Sequence, residues 1–309
     1  MTNASTSGNP RSRLGVMFDR DHRPEELRDF ARAAEETGVD DLWLVEDLGW
    51  AGSVSSAAVA LAATERLRVG IGILPAPLRN PALLAMELGS LARLFPGRLV
   101  AGIGHGVPEW MAQVGAATPT KLALLEETIT VVRALLGGET VTFQGRTVRV
   151  DGVRLVHPPA PDAVPPLVTG VVRPRSLELS GRVADGTIVA EGQGPSRIAA
   201  ALGHIATGRE SARAAGAERP HELILFTHLC VSDDAERLAA ATAPVVAEYS
   251  EWLGIPPAEV FLAAGDADTA ARRIHSLWEA GAHTVVLRPI GVRPLTQLRS
   301  ALDALGPAR

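Results

Sequence analysis

Residues 67–106, LRVGIGILPAPLRNPALLAMELGSLARLFPGRLVAGIGHG, decide the fold. The run Leu67–Leu74 is apolar on both alternating faces, so it reads as a strand buried on both sides, the mark of a parallel sheet covered by helices. Gly70 and Gly72 inside it point to a bulge or to a close approach of the backbone to a ligand. Pro81–Leu94 follows as a helix that starts on proline and stops at Pro96-Gly97. Leu99–Ile103 is the next strand, and it runs into the turn Gly104-His105-Gly106. A glycine-rich turn at the C-terminal end of a parallel strand is where α/β folds place ligands.

The same rhythm extends in both directions. Upstream, Leu14–Phe18 reads as a strand, Pro24 to Gly38 as a helix with one apolar face, Leu42–Val45 as a strand ending in Glu46-Asp47, and Ser56–Thr64 as a small-residue helix. Downstream, Leu122, Leu125, Ile129, Val132 and Leu136 keep a helical period across 121–136. Residues 139–156 alternate apolar and polar around Gln144-Gly145 and Asp151-Gly152, a β-hairpin pattern that departs from the alternation of strand and helix. Strands at Leu167–Gly170, Gly186–Ala190, Leu223–Val231 and Thr284–Leu287 follow. Helices are expected at Pro174–Val183, Ser196–Ala214, Ala235–Leu253, Ala267–Ala280 and 294–305, with 254–265 irregular. Eight strands mostly separated by helices predict an α/β fold, a (β/α)8 TIM barrel with a β-hairpin insertion before the fifth strand. The doubly wound open sheet is the weaker alternative, because no dinucleotide-type glycine turn follows the first strand.

Composition bounds the function. The chain has 309 residues, 46% of them hydrophobic, enough for one barrel spanning 14–309 behind a polar tail at 1–13, read as disordered. A net charge of −5 without blocks of like charge argues against nucleic acid or an anionic membrane as partner. No apolar run has the length of a membrane span, and a cytoplasmic protein acting on a small molecule is expected. The single cysteine, Cys230, excludes an intramolecular disulfide. No HExxH, no His/carboxylate cluster at ligand spacing and no GxSxG elbow is present, so neither a metal site nor a serine nucleophile is expected.

A barrel of this kind carries its chemistry at the C-terminal strand ends. These are Phe18-Asp19, Glu46-Asp47, Gly72-Ile73-Leu74, Gly104-His105-Gly106, Thr169-Gly170-Val171, Ala190-Glu191-Gly192, His228 and Arg288-Pro289. His105, between two glycines, is the first candidate for proton transfer and Glu46 the second. His228 is a weaker candidate, and Trp50 and Trp110 are candidates for the pocket wall. Helix starts near Arg173-Pro174 and Gly194-Pro195 suit an anion.

The phrases GVDDLWLVED, 64–106, LEETITVVRALLGGETVTFQGRTVRV, PPLVTGVVRPRSLELSGRVADGTIV and GAHTVVLRPIG carry a family resemblance over most of 14–291. The chain resembles the bacterial-luciferase-like flavin and deazaflavin oxidoreductases, in the branch of methylene-tetrahydromethanopterin reductase and the F420-dependent glucose-6-phosphate dehydrogenases. The resemblance implies a barrel with insertions, coenzyme F420 as cofactor, and a non-proline cis peptide in the third strand, here at Gly72–Ile73. It places Asp47, Gly72, Ile73, Gly104, His105, Gly106, Gly170 and Val171 against the cofactor, with Arg173 available to a phosphate of its tail. A homodimer is also implied. The sugar-phosphate enzymes differ: where they carry a catalytic His, an acidic residue, a glycine pair and a lysine, this chain has Leu48, Val107, Val172-Arg173 and Gln193. The expected activity is hydride transfer between deazaflavin C5 and a C=C, C=N or C=O of a small organic substrate. An FMN-dependent monooxygenase using oxygen and a non-catalytic flavin-binding barrel are the alternatives.

Overall fold

A computed structural model describes residues 12–306. Its core is a closed barrel of eight parallel strands: β1 (Arg13–Met17), β2 (Asp41–Leu44), β3 (Arg68–Pro75), β4 (Leu99–Gly104), β7 (Leu167–Gly170), β8 (Gly186–Val189), β9 (Glu222–Val231) and β11 (Thr284–Pro289). The ring closes by pairing β8 with β9 and β11 with β1. The expected hairpin is present as β5 (Val141–Gln144) and β6 (Arg149–Val153), an antiparallel pair ahead of the fifth barrel strand. The helices are α1 (Leu27–Thr37), α2 (Ser53–Ala63), α3 (Pro81–Leu94), α4 (Pro108–Gln113), α5 (Lys121–Leu136), α6 (Pro174–Val183), α7 (Pro195–Ala214), α8 (Ala235–Leu253), α9 (Ala267–Glu279) and α10 (Pro294–Leu305). None is long and apolar enough to cross a membrane.

Several details differ from the sequence pattern. β1 begins at Arg13, and the rest of the expected tail, 1–11, lies outside the described residues. α2 starts at Ser53, three residues early, because the distant Glu46 carboxylate accepts its backbone N–H at 3.1 Å and its hydroxyl at 2.6 Å. The short α4 has no signal of its own beyond Pro108 at its start. Within 254–265, β10 (Ala263–Gly265) pairs with the end of β9, extending the wall where β8 has run out.

Alternation along the strands sorts the barrel interior into layers. At the N-terminal end, Arg68 donates to Asp41 at 3.0 and 2.6 Å and to Glu222 at 2.9 and 2.7 Å, while the Thr284 hydroxyl donates to Glu222 at 2.5 Å. Burial works against charge here, yet the two carboxylates hold the Arg68 pKa above its ordinary value, and Glu222 is correspondingly lowered. Two residues further along, Trp43, Val100, Val168, Ile188, Ile224 and Val286 fill the middle with Phe226, whose ring meets Trp43 edge-on at 5.3 Å. A Cβ on Gly70 would sit 2.4 Å from the Trp43 ring. Gly70 therefore makes room for the indole that plugs the barrel rather than for a ligand. Burying an aromatic of this kind contributes roughly 1.5–3 kcal/mol.

Candidate active site

Above the Trp43 plug the strands end in polar residues. On the β9, β11 and β1 side, Arg288 donates to Asp19 at 2.5 Å and reaches Glu191 and the Tyr249 hydroxyl, each at 3.4 Å. Tyr249 comes from α8, and its ring packs edge-on against the His228 imidazole, 4.9 Å between centroids. His228 is 3% exposed, and its Nδ1 is buried with no hydrogen-bond partner among the described residues. Burial pushes the His228 pKa down to about 4, with Glu191 opposing and Arg288 assisting. Burial and the Glu191 carboxylate push the Tyr249 phenol up. Asp19 is held below its ordinary value: burial opposes, and the charge and hydrogen bond of Arg288 prevail. A cavity of 380 Å³ opens beside this cluster, lined by Asp19, Arg20, His22, His228, Glu248 and Arg288 among others.

On the opposite side of the mouth glycines make room for side chains: a Cβ on Gly72 would sit 2.8 Å from the Phe226 ring, and Gly104 and Gly170 pack against Ile73. The Gly72–Ile73 peptide is cis, and the pairing of β3 with β4 shifts register between Ile71 and Leu74. Gly72 and Ile73 are half-buried, flanked by buried Ile71 and Leu74. Gly104 and Gly170 face each other across β4 and β7. A Cβ on Gly104 would meet the Gly170 carbonyl at 2.9 Å, and a Cβ on Gly170 would meet the Ile73 side chain at 2.5 Å. The structure thus brings Gly72, Ile73, Gly104 and Gly170 together as one shelf.

The remaining candidates lie around it. The His105 ring nitrogen Nε2 is 3.1 Å from the Ser176 hydroxyl in the first turn of α6, and burial followed by the Lys121 charge lowers its pKa. His105 lines a separate 280 Å³ cavity with Pro77, Met111 and Lys121, apart from the His228 cluster. Gly106 follows it at φ +70°, against Met111. Glu46 is heavily engaged: Arg79 grips both its oxygens, one of them at 2.8 Å, and Ser53 donates to it twice. Asp47 accepts from Arg20 at 2.5 Å, and Arg20 lies 4.7 Å over the Trp50 ring. Trp50 in turn is 6.3 Å from Trp110, so both tryptophans stand on the rim. The Val171 side chain is buried in the outer hydrophobic core, leaving only its backbone for a ligand. Arg173 is exposed at the start of α6 and makes no ion pair with a described residue. Gln193 is buried and turned back onto the Ala190 carbonyl at 3.3 Å. Tyr249 was invisible in the sequence: it is the chain's one tyrosine, but nothing local shows that α8 delivers it to the mouth. Among the described residues no group of three or more His, Cys, Asp or Glu is arranged to hold a metal ion.

A closed (β/α)8 barrel with a bulged third strand and an antiparallel hairpin before its fifth defines the class. The model of the luciferase-like monooxygenase family matches residues 4–290, and the chain belongs to that family. Among similar proteins are an F420-dependent glucose-6-phosphate dehydrogenase of Nakamurella multipartita, 33% identical over 232 residues, and a 5,10-methylenetetrahydromethanopterin reductase of Methanolobus tindarius, 28% identical over 230. The first alignment covers 69% of this chain and 65% of that relative; the second covers 74% and 68%. The coenzyme F420-dependent tetrahydromethanopterin reductase of Methanopyrus kandleri superposes with a TM-score of 0.84 at 20% identity, over 97% of this chain and 100% of that one.

Proposed function

We propose that the protein is an F420-dependent oxidoreductase, working as a reductase on a small organic molecule. The observation that carries this is the half-buried Gly72–Ile73 shelf, open to the mouth beside Gly170 and ringed by groups that can fix a polar ligand. The names of the two curated relatives and the family membership support it. The residues fit a flat ring with an anionic tail: the half-buried Gly72–Ile73 segment, with the Ile73 side chain packed over Gly104 and Gly170, offers a flat apolar face, and the exposed Arg173, without an ion pair among the described residues, stands at a helix start where a phosphate is favoured. Bound there, the deazaflavin supplies hydride transfer at C5 to or from a C=C, C=N or C=O.

The chain's own work is placement. Gly72, Ile73, Gly104 and Gly170 give the ring its shelf, and Asp47 stands beside it through its pairing with Arg20. His105, linked to Ser176, is the group in this proposal that moves the proton. Glu46 takes a positioning role, tying Arg79 and the start of α2 to the end of β2. We further propose a cytoplasmic homodimer: the single cysteine needs no oxidising compartment, and Val59 of α2 with Leu83 and Met86 of α3 leave apolar side chains in water. Sedimentation of the pure protein tests the dimer. Side-by-side titration with F420 and FMN tests the cofactor. Saturable F420 binding and weak FMN binding are expected; the reverse order would replace the proposal with the flavin monooxygenase reading.

A further inference from the structure

The His228 side of the mouth is not used by the cofactor shelf, yet it carries the most perturbed groups of the whole site. We propose that the 380 Å³ cavity beside Asp19, His228 and Arg288 is the substrate subsite, that His228 hydrogen-bonds the substrate there, and that the subsite accepts uncharged or cationic polar organic molecules and rejects anions. This deepens the reading of the mouth as the reaction site and rests on it.

Three observations carry the assignment. The first is an unfinished hydrogen bond. The His228 Nδ1 is buried without a partner among the described residues, the ring makes no hydrogen bond to any described residue, and His228 is one of the residues that line the cavity. A buried polar atom left without a partner is uncommon and is completed by whatever enters. The second is the protonation state. With a pKa near 4 the imidazole is neutral around neutrality, so it offers one N–H and one lone pair, suited to a carbonyl, hydroxyl or amine and not to a carboxylate or phosphate.

The third observation is the charge count of the walls. Both cations are committed: Arg288 to Asp19 and Glu191, Arg20 to Asp47. His22 faces Glu26 at 3.3 Å. Glu248 is exposed on the cavity wall and has no ion-pair partner among the described residues. An entering anion meets surplus carboxylates and no unpaired guanidinium among the described residues, whereas a neutral group meets no opposing charge and a cationic group meets guanidiniums that are already ion-paired.

Three six-membered rings differing in charge test it: cyclohexanone, cyclohexylamine and cyclohexanecarboxylate. Each is titrated into the cofactor-free protein while the His228 imidazole is followed by NMR, its signals assigned by loss in the His228→Gln variant. The ketone and the amine are expected to move the His228 signals saturably, with the carboxylate weaker by about tenfold or more. His228→Gln is expected to lose the ketone response of the neighbouring Tyr249 ring while binding F420 with wild-type affinity. Silence at His228 with all three probes, or tightest binding of the carboxylate, would overturn the assignment. If His228→Gln does not fold, the His228 signals are assigned instead by their through-space contacts to the ring of Tyr249, the chain's one tyrosine, and the wild-type titration decides. F420 titration of the same sample separates the two proposals: ketone binding at His228 without F420 binding supports the subsite and overturns the cofactor reading.

Discussion

Replacing Glu46 by glutamine separates a structural carboxylate from a catalytic one. In the wild-type chain its two oxygens take both branches of the Arg79 guanidinium and two hydrogen bonds from Ser53. The side chains are 10% and 19% exposed, so the pair is largely desolvated. Burial opposes the Arg79 charge, but Glu46 and then Glu87 raise its pKa. Removing one partner of a fully buried pair costs about 3–5 kcal/mol. Here Arg79 keeps Glu87 at 3.4 Å, and the substituted glutamine would keep one acceptor oxygen, so a loss of about 2 kcal/mol is expected. At roughly 2–4 °C per kcal/mol for a large domain, the thermal midpoint should fall by roughly 4–8 °C. Circular dichroism melts measure it, and a cycle with Arg79→Met should recover only part of the loss, because that change relieves the unpaired guanidinium but leaves Glu87 without its partner. F420 affinity and turnover at a temperature where both forms are folded should change little. An unchanged midpoint together with a turnover loss of about a hundredfold or more would show that Glu46 moves the proton, and the positioning argument would be wrong.

His105→Gln should lower turnover by about a hundredfold with little change in F420 affinity, read by stopped-flow and binding titration; an unchanged rate removes His105 from proton transfer. Gly70→Ala should destabilise the barrel by about 1–3 kcal/mol, since the new methyl lands on the Trp43 ring, and Trp43→Phe in the same chain should relieve part of that cost in a denaturant titration. His221 and His228 are both neutral when folded, their pKa values pushed down to about 4 chiefly by burial, whereas the unfolded chain takes up protons near its ordinary histidine value. Their contribution is therefore complete above about pH 6.5 and lost as pH falls toward 4, at about 1.4 kcal/mol per pH unit for each histidine. Melts across that window should show the slope, and His221→Gln should flatten it.

Much of this architecture was legible because it rests on local pattern. The apolar run through Leu67–Leu74 could only be a strand covered on both faces, and the period through Leu122–Leu136 could only be a helix. The hairpin showed itself by its alternation, although Asp151-Gly152 proves to lie inside β6, where the Gly152 N–H bonds to the Thr142 hydroxyl at 3.0 Å, and not in a turn. What stayed hidden depends on partners far away in sequence. The start of α2 is set by Glu46, and the Gly70 gap is filled by Trp43. Glu46 drew attention as a free strand-end carboxylate because nothing local reveals that Arg79 is folded over it. The His228, Tyr249, Glu191 and Arg288 cluster draws on four separate elements, so its members could be named as strand ends but not recognised as neighbours.

The two ends of the barrel use the same device. At the N-terminal end Arg68 lies between Asp41 and Glu222; at the C-terminal end Arg288 lies between Asp19 and Glu191. In both, two carboxylates hold the guanidinium charged against the pull of burial. In the lower cluster the Thr284 hydroxyl donates to Glu222 and accepts from Arg68 at 3.2 Å, and Arg13 Nε, beside Asp41, is the one nitrogen of that cluster left without a partner among the described residues. The upper cluster is looser: Arg288 reaches Glu191 and Tyr249 only at 3.4 Å, and the His228 Nδ1 is buried with no partner among the described residues. A polar network in a low-dielectric interior stabilises the fold when complete and invites a partner when it is not. In the proposed reading it is this looseness, more than the charge, that suits the upper end to a substrate.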